Sequence, residues 1–110
     1  MFEIYQSEKS KEFYFRLKAA NGQNILGSEG YKTKASCKNG VASVQKHSAD
    51  AKFFEKKEGA SGKFFFNLKA SNGQVIGKSQ MYASESSRDN GIASVQKNAP
   101  GADVKDLTEA

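Results

Sequence analysis

Phe13, Phe15, Leu17 and Ala19 alternate with Tyr14, Arg16 and Lys18, the two-residue period of a strand that buries one side. The same alternation returns where Phe64, Phe66, Leu68 and Ala70 interleave with Phe65, Asn67 and Lys69. Each run leads into an Asn-Gly pair, Asn21-Gly22 and Asn72-Gly73, whose tolerance of positive φ suits a tight hairpin, so return strands are expected to begin at Ile25 and Ile76. Past Tyr31 and Tyr82 the period lengthens. Thr33 and Ser84 can cap helices, and positions 37, 41 and 44, matched by 88, 92 and 95, fall on one helical face, which predicts helices at 34–47 and 85–98. Asn39-Gly40 and Asn90-Gly91 interrupt these spans, at a cost of roughly 1 kcal/mol for a mid-helix glycine. Their presence in both copies is what a helix lying close on a sheet requires. Short extended segments follow each helix, near Phe53-Phe54 and near Val104.

The chain is thus a tandem duplication. At an offset of 51 residues Phe13–Ala19 falls on Phe64–Ala70, Asn21-Gly22-Gln23 on Asn72-Gly73-Gln74, Tyr31 on Tyr82, and Asn39–Lys46 on Asn90–Lys97, without a gap. Extended backwards, the offset sets Phe2 on Phe53, so that one strand can serve both copies. The expected organisation is a single compact domain over 1–110, with repeat one at 1–57 and repeat two at 52–110. The fold expected is α+β: a mainly antiparallel sheet with Phe13, Phe15, Leu17, Phe64, Phe66 and Leu68 on its inner face, two helices over that face, and pseudo-twofold symmetry.

Composition narrows the chemistry. The net charge of +5 comes from lysine, since arginine occurs only at Arg16 and Arg88, and a lysine excess favours loose anion attraction over specific readout. Cys37 is the single cysteine, which excludes an intrachain disulfide and fits a reducing compartment. Residues 1–5 carry no basic-then-apolar leader and no apolar run approaches membrane-spanning length, so a cytoplasmic location without membrane contact is expected.

Convergent catalytic groups are not evident, and no catalytic residue, cofactor or metal ligand is expected. His47 stands alone, with Asn98 as its counterpart, and reads as a helix C-cap. Cys37, matched by Arg88, reads as partly exposed, its thiol open to activation by the helix start and by Lys34 and Lys38. Glu3, Glu55, Asp89, Glu109 and the other carboxylates do not recur as catalytic pairs and read as solvated surface. Gly59-Ala60-Ser61-Gly62 lacks the residues of a phosphate loop and reads as a turn, and Ser84-Glu85-Ser86-Ser87 as a cap and first helical turn. The remaining candidate is the outer face of the hairpins, where Tyr14, Arg16 and Lys18 meet Phe65, Asn67 and Lys69. Aromatic and basic side chains on an open sheet suit stacking on bases and holding phosphates, or contact with a protein. The expected function is a small non-catalytic binding or accessory module. Its alternatives are a weak single-stranded nucleic-acid binder using that face and a self-association or protein-interaction module.

The blocks Phe-x-Phe-x-Leu-Lys-Ala-x-Asn-Gly-Gln at 13–23 and 64–74, Tyr31 and Tyr82, and Asn-Gly-Val/Ile-Ala-Ser-Val-Gln-Lys at 39–46 and 90–97 closely resemble the YegP-like family across nearly the entire chain. That family comprises small bacterial proteins of unknown function with one unit or two in tandem. The resemblance implies β-β-β-α-β units in one continuous sheet with C-terminal strands exchanged, and a monomer whose halves form an intramolecular pseudo-dimer. It carries over no catalytic residue, cofactor or ligand.

Overall fold

A computed structural model describes residues 1–108; Glu109 lies outside them. Three strands, β1 (Phe2–Gln6), β2 (Phe13–Lys18) and β3 (Asn24–Gly27), precede helix α1 (Lys34–His47). A short 3-10 turn (Ala51–Phe53) leads into β4 (Phe54–Glu58), β5 (Phe64–Lys69) and β6 (Val75–Lys78), then helix α2 (Glu85–Asn98) and β7 (Val104–Asp106). The strands form one sheet in the order β4-β5-β6-β3-β2-β1-β7, antiparallel throughout except where β7 runs parallel to β1.

The halves meet at Gly27 opposite Lys78. These positions are counterparts in the duplication, so the pairing sits on the pseudo-twofold axis. Strands are exchanged across it: β4, which follows α1, pairs with β5 of the second copy, and β7, which follows α2, returns to β1 of the first. The ladder corrects one expectation. Leu17 faces Phe2 while its counterpart Leu68 faces Phe54, so Phe54 and not Phe53 is the structural mate of Phe2. The loop before β5 is one residue shorter than the loop before β2, and the offset ahead of it is therefore 52.

Both helices begin and pack as the sequence predicts. Thr33 Oγ1 accepts the Ser36 amide and Ser84 Oγ the Ser87 amide, each at 3.1 Å, satisfying first-turn donors. At Gly40 the Tyr31 ring and Phe15 fill the space a Cβ would need, and Tyr82 and Phe66 do so at Gly91. The glycines thus let each tyrosine wedge between helix and sheet, stacked on Phe15 or Phe66 with ring centroids 6.2 and 6.4 Å apart. Phe2, Ile4, Phe15, Leu17, Phe66, Leu68, Val44 and Val95 are fully enclosed between the helices and the sheet. Burial of such side chains stabilises the fold by roughly 1.5–3 kcal/mol each.

Two readings of the helices need correction. Cys37 is fully buried, not partly exposed, and burial, with the Asp106 charge as the lesser cause, pushes its thiol up to about 11. Arg88 misled because it too is largely buried, its guanidinium lying over the Phe64 ring at 5.5 Å and toward the Lys57 carbonyl at 3.5 Å. His47 is not the C-cap, a place taken by Ser48. Its Nδ1 lies 2.8 Å from the Ser43 carbonyl and its Nε2 3.2 Å from the Ser71 amide. A carbonyl only accepts and an amide N–H only donates, which fixes the Nδ1–H tautomer and ties α1 to the second hairpin's turn.

Candidate binding face

Alternation places Tyr14, Arg16 and Lys18 of β2, and Phe65, Asn67 and Lys69 of β5, on the side of the sheet away from both helices, all half-buried. In an antiparallel ladder directly opposed residues share a face, so β1 adds Glu3 and Tyr5, and β4 adds Glu55 and Lys57. β3 and β6 separate the two groups, holding β2 and β5 about 14 Å apart at three strand spacings. The face is therefore two related patches flanking a central strip, not one uninterrupted aromatic platform.

Each patch is organised by a carboxylate. Glu3 Oε1 accepts from Arg16 Nε at 2.8 Å and lies 3.4 Å from Lys18 Nζ. The Arg16 hydrogen bond outweighs burial and holds the Glu3 carboxyl below its ordinary range. Glu55 does the same in the second copy, accepting from Lys69 Nζ at 2.9 Å and Asn67 Nδ2 at 3.4 Å, and the Lys69 bond is the main cause of its lowered pKa. The aromatic rings are engaged as well. Tyr5 and Tyr14 stack at 5.6 Å, Arg16 lies over Tyr5 at 4.6 Å, and Lys78 lies over Phe65 at 4.9 Å.

Sequence reasoning therefore found the strands of this face but missed Glu3, Tyr5, Glu55 and Lys78. Glu3 and Tyr5 alternate with the buried Phe2 and Ile4, a pattern visible in the sequence, but assigning them to this face takes the β1–β2 register. His47 and Cys37 lie on the helix side and do not join the face. Among the described residues no group of three His, Cys, Asp or Glu side chains is placed to hold a metal ion, and no helix is long and apolar enough to cross a membrane.

Two segments, 8–55 and 60–106, match a family model described as a domain of unknown function, DUF1508. A UPF0339 protein encoded in the 5′ region of the ptx operon of Stutzerimonas stutzeri is 58% identical over 96% of this chain and 95% of its own length. The UPF0339 protein YegP of Escherichia coli is 50% identical over 97% of this chain and 96% of its own. The solution structure of the E. coli protein superposes with a TM-score of 0.92 at 50% identity, covering 99% of this chain and 93% of that one. A UPF0339 protein from Shewanella oneidensis superposes at 0.90 with 45% identity, over 96% and 89%. The chain belongs to the DUF1508 family, and its relatives share both the duplication and the fold.

Proposed function

Starting from that membership, we propose that the chain is a non-catalytic binding module that acts in the cytoplasm as a monomer, and that it takes single-stranded nucleic acid on the outer sheet face. The observation that carries this reading is the one-sided architecture. Two helices cover one side of a seven-stranded sheet, while the other presents Tyr14, Phe65, Arg16, Lys18, Lys69 and Lys78. Half-exposed rings next to cations suit bases and phosphates together. Glu3 and Glu55 neutralise part of the charge, which favours weak binding.

An NMR titration of the labelled protein with short single-stranded RNA and DNA at physiological salt tests the reading. Saturable shifts confined to amides 14–18 and 65–69, weakened by added salt and abolished by Tyr14→Ala with Arg16→Ala, are expected. Absence of localised shifts overturns the nucleic-acid reading, and a concentration-dependent mass, with amides 14–18 and 65–69 shifting on dilution instead, identifies self-association as the use of the face.

A further inference from the structure

The central strip between the two patches holds a pair of grooves related by the pseudo-twofold axis. On the first-copy side a groove of about 350 Å³ is lined by Arg16, Asn24, Lys78 and Gln80 together with Tyr5 and Ser79. Its mate, of about 270 Å³, is lined at the matching positions by Asn67, Val75, Gly27 and Glu29, and Lys78 lines it as well. The backbone is shared and the chemistry is not. Lys78 and Gly27, which face each other on the axis, line both grooves, but at the three pairs that differ the first-copy side carries the stronger hydrogen-bond donor or the greater positive charge: Arg16 against Asn67, Asn24 against Val75, Gln80 against Glu29. Packing does not explain a bias with one sign, because these side chains lie on the exposed or half-exposed outer surface.

The donors on the first-copy side are also available. Arg16 commits Nε to Glu3 and its plane to the Tyr5 ring, which holds the guanidinium in place, while its terminal nitrogens make no hydrogen bond among the described residues. The side chains of Asn24 and Gln80 likewise have no partner there, and Lys78 rests only on the Phe65 ring. No carboxylate lines this groove, whereas Glu29 lines its mate. A guanidinium fixed in orientation and two amides around a shallow depression, beside the axial Lys78 that both grooves share, form a donor set matched to a tetrahedral oxyanion.

We propose that this groove is an oxyanion seat for a phosphate group, and that the two copies have diverged so that only the first-copy side holds one. The proposal rests on the outer face being the binding face, and it names the atoms that take the ligand's charge. The phosphate belongs either to a nucleic-acid backbone or to a small phosphorylated molecule.

The test titrates the labelled full chain at physiological salt with pyrophosphate and, separately, with hexathymidylate. Pyrophosphate is expected to shift amides around Arg16, Asn24 and Gln80 saturably and to leave those around Asn67 and Val75 in place. Arg16→Asn and Asn24→Val each install the residue the second copy already carries, so the fold is retained, and each should weaken pyrophosphate binding at least tenfold. Asn67→Ala in the mate should change it less than twofold. If hexathymidylate displaces pyrophosphate from the same amides, the seat takes a strand's phosphate; if it does not, the seat takes a free phosphate and the nucleic-acid reading falls alone. Hexathymidylate binding that is indifferent to Arg16→Asn and Asn24→Val, with no pyrophosphate site, overturns the seat and leaves the nucleic-acid reading standing. Equal shifts in both grooves, or none with either probe, overturn the proposal.

Discussion

The two ends of the sheet occupy matched positions in a duplicated chain and have become different surfaces. At one end β7 lies along β1 and closes it; at the other β4 is an open edge. The cause is topological. The strand after α1 is already the first strand of the second copy, whereas the strand after α2 docks outside β1. Side chains have followed. Ile4, facing Phe15, is fully buried, whereas Lys56, facing Phe66, is exposed and reaches Asp89 on α2 at 3.2 Å. Cys37 is enclosed at the closed end, and Arg88 lies along the open edge with its guanidinium toward the Lys57 carbonyl. An inward-pointing lysine and the run Glu55-Lys56-Lys57-Glu58 are the means by which an exposed edge avoids pairing with another chain. Repeated sequence thus specifies repeated backbone, but each residue answers to its own neighbours.

Exchanging the residues at these ends breaks the comparison most severely at the first helical turns. Cys37→Arg copies the open end into the closed one and forces a guanidinium beneath β7, where it should cost about 3 kcal/mol or more. Arg88→Cys loses a ring contact and two long hydrogen bonds, to Asp89 and to the Lys57 carbonyl, and should cost about 1 kcal/mol. Urea denaturation read by circular dichroism gives both, and equal losses would refute the assignment of closed and open ends. Ile4→Ala comes next: it leaves a cavity in the core and should cost about 2–5 kcal/mol. Lys56→Ala at the matched position removes only an exposed ion pair and should cost less than about 0.5 kcal/mol.

How far the sequence foretold these ends follows from the same contrast. The helix spans, caps and glycine wedges were legible because each signal occurs twice, and the second copy checks the first. Legibility failed where the copies differ. Phe2 was set on Phe53 because nothing in Ser7–Glu12 marks the extra residue of that loop. Cys37 reads as partly exposed in the sequence because Arg88 accepts its place, and only β7, brought from the far end of the chain, distinguishes the two sites. The outer face was half legible. Tyr14, Arg16 and Lys18, like Phe65, Asn67 and Lys69, follow from alternation on one strand, but Glu3 reaches Arg16 and Glu55 reaches Asn67 through ladder registers that link segments 13 and 12 residues apart. His47 contacts the Ser71 amide across the two copies, a contact no local pattern encodes.

A third exchange uses pH. The Thr108 hydroxyl, Lys34 Nζ and the Thr108 amide, at 2.6, 3.0 and 2.8 Å, hold the Asp106 carboxyl well below the usual carboxylate range, with the hydroxyl bond the largest cause. A depressed folded pKa means that this contribution is present above the unfolded value, near about 4, and is lost as pH falls toward the folded one. Acid should therefore loosen β7 before the rest of the sheet. Asp106→Asn should do so at neutral pH, lowering exchange protection at the Phe2 and Leu107 amides, which bond to Asp103 and Ile4 across the β1–β7 pair. The Asp89 carboxyl is also lowered, chiefly by Lys56, but it touches β4 only through that exposed side chain and no strand pairing depends on it. Asp89→Asn should leave β4–β5 protection unchanged, and a matching loss there would contradict the asymmetry.

The smallest effect on stability carries the sharpest test of why the open end stays open. Antiparallel pairing of two β4 edges about a twofold axis keeps like faces together, so it centres on Lys56 or on Lys57, and either register opposes lysine to lysine. Either arrangement must also bring the inward-pointing Lys56 of each chain beside its partner's edge. Lys56→Ile restores at β4 the apolar side chain that Ile4 presents at β1, and it should alter folding stability by less than about 0.5 kcal/mol because the position remains at the rim. Its consequence should instead be association: sedimentation equilibrium should find the natural chain monomeric and the variant's mass rising with concentration. A natural chain that already dimerises through β4 would show that charge does not guard this edge, and a variant that stays monomeric at millimolar concentration would assign the guarding to Arg88 at the Lys57 carbonyl.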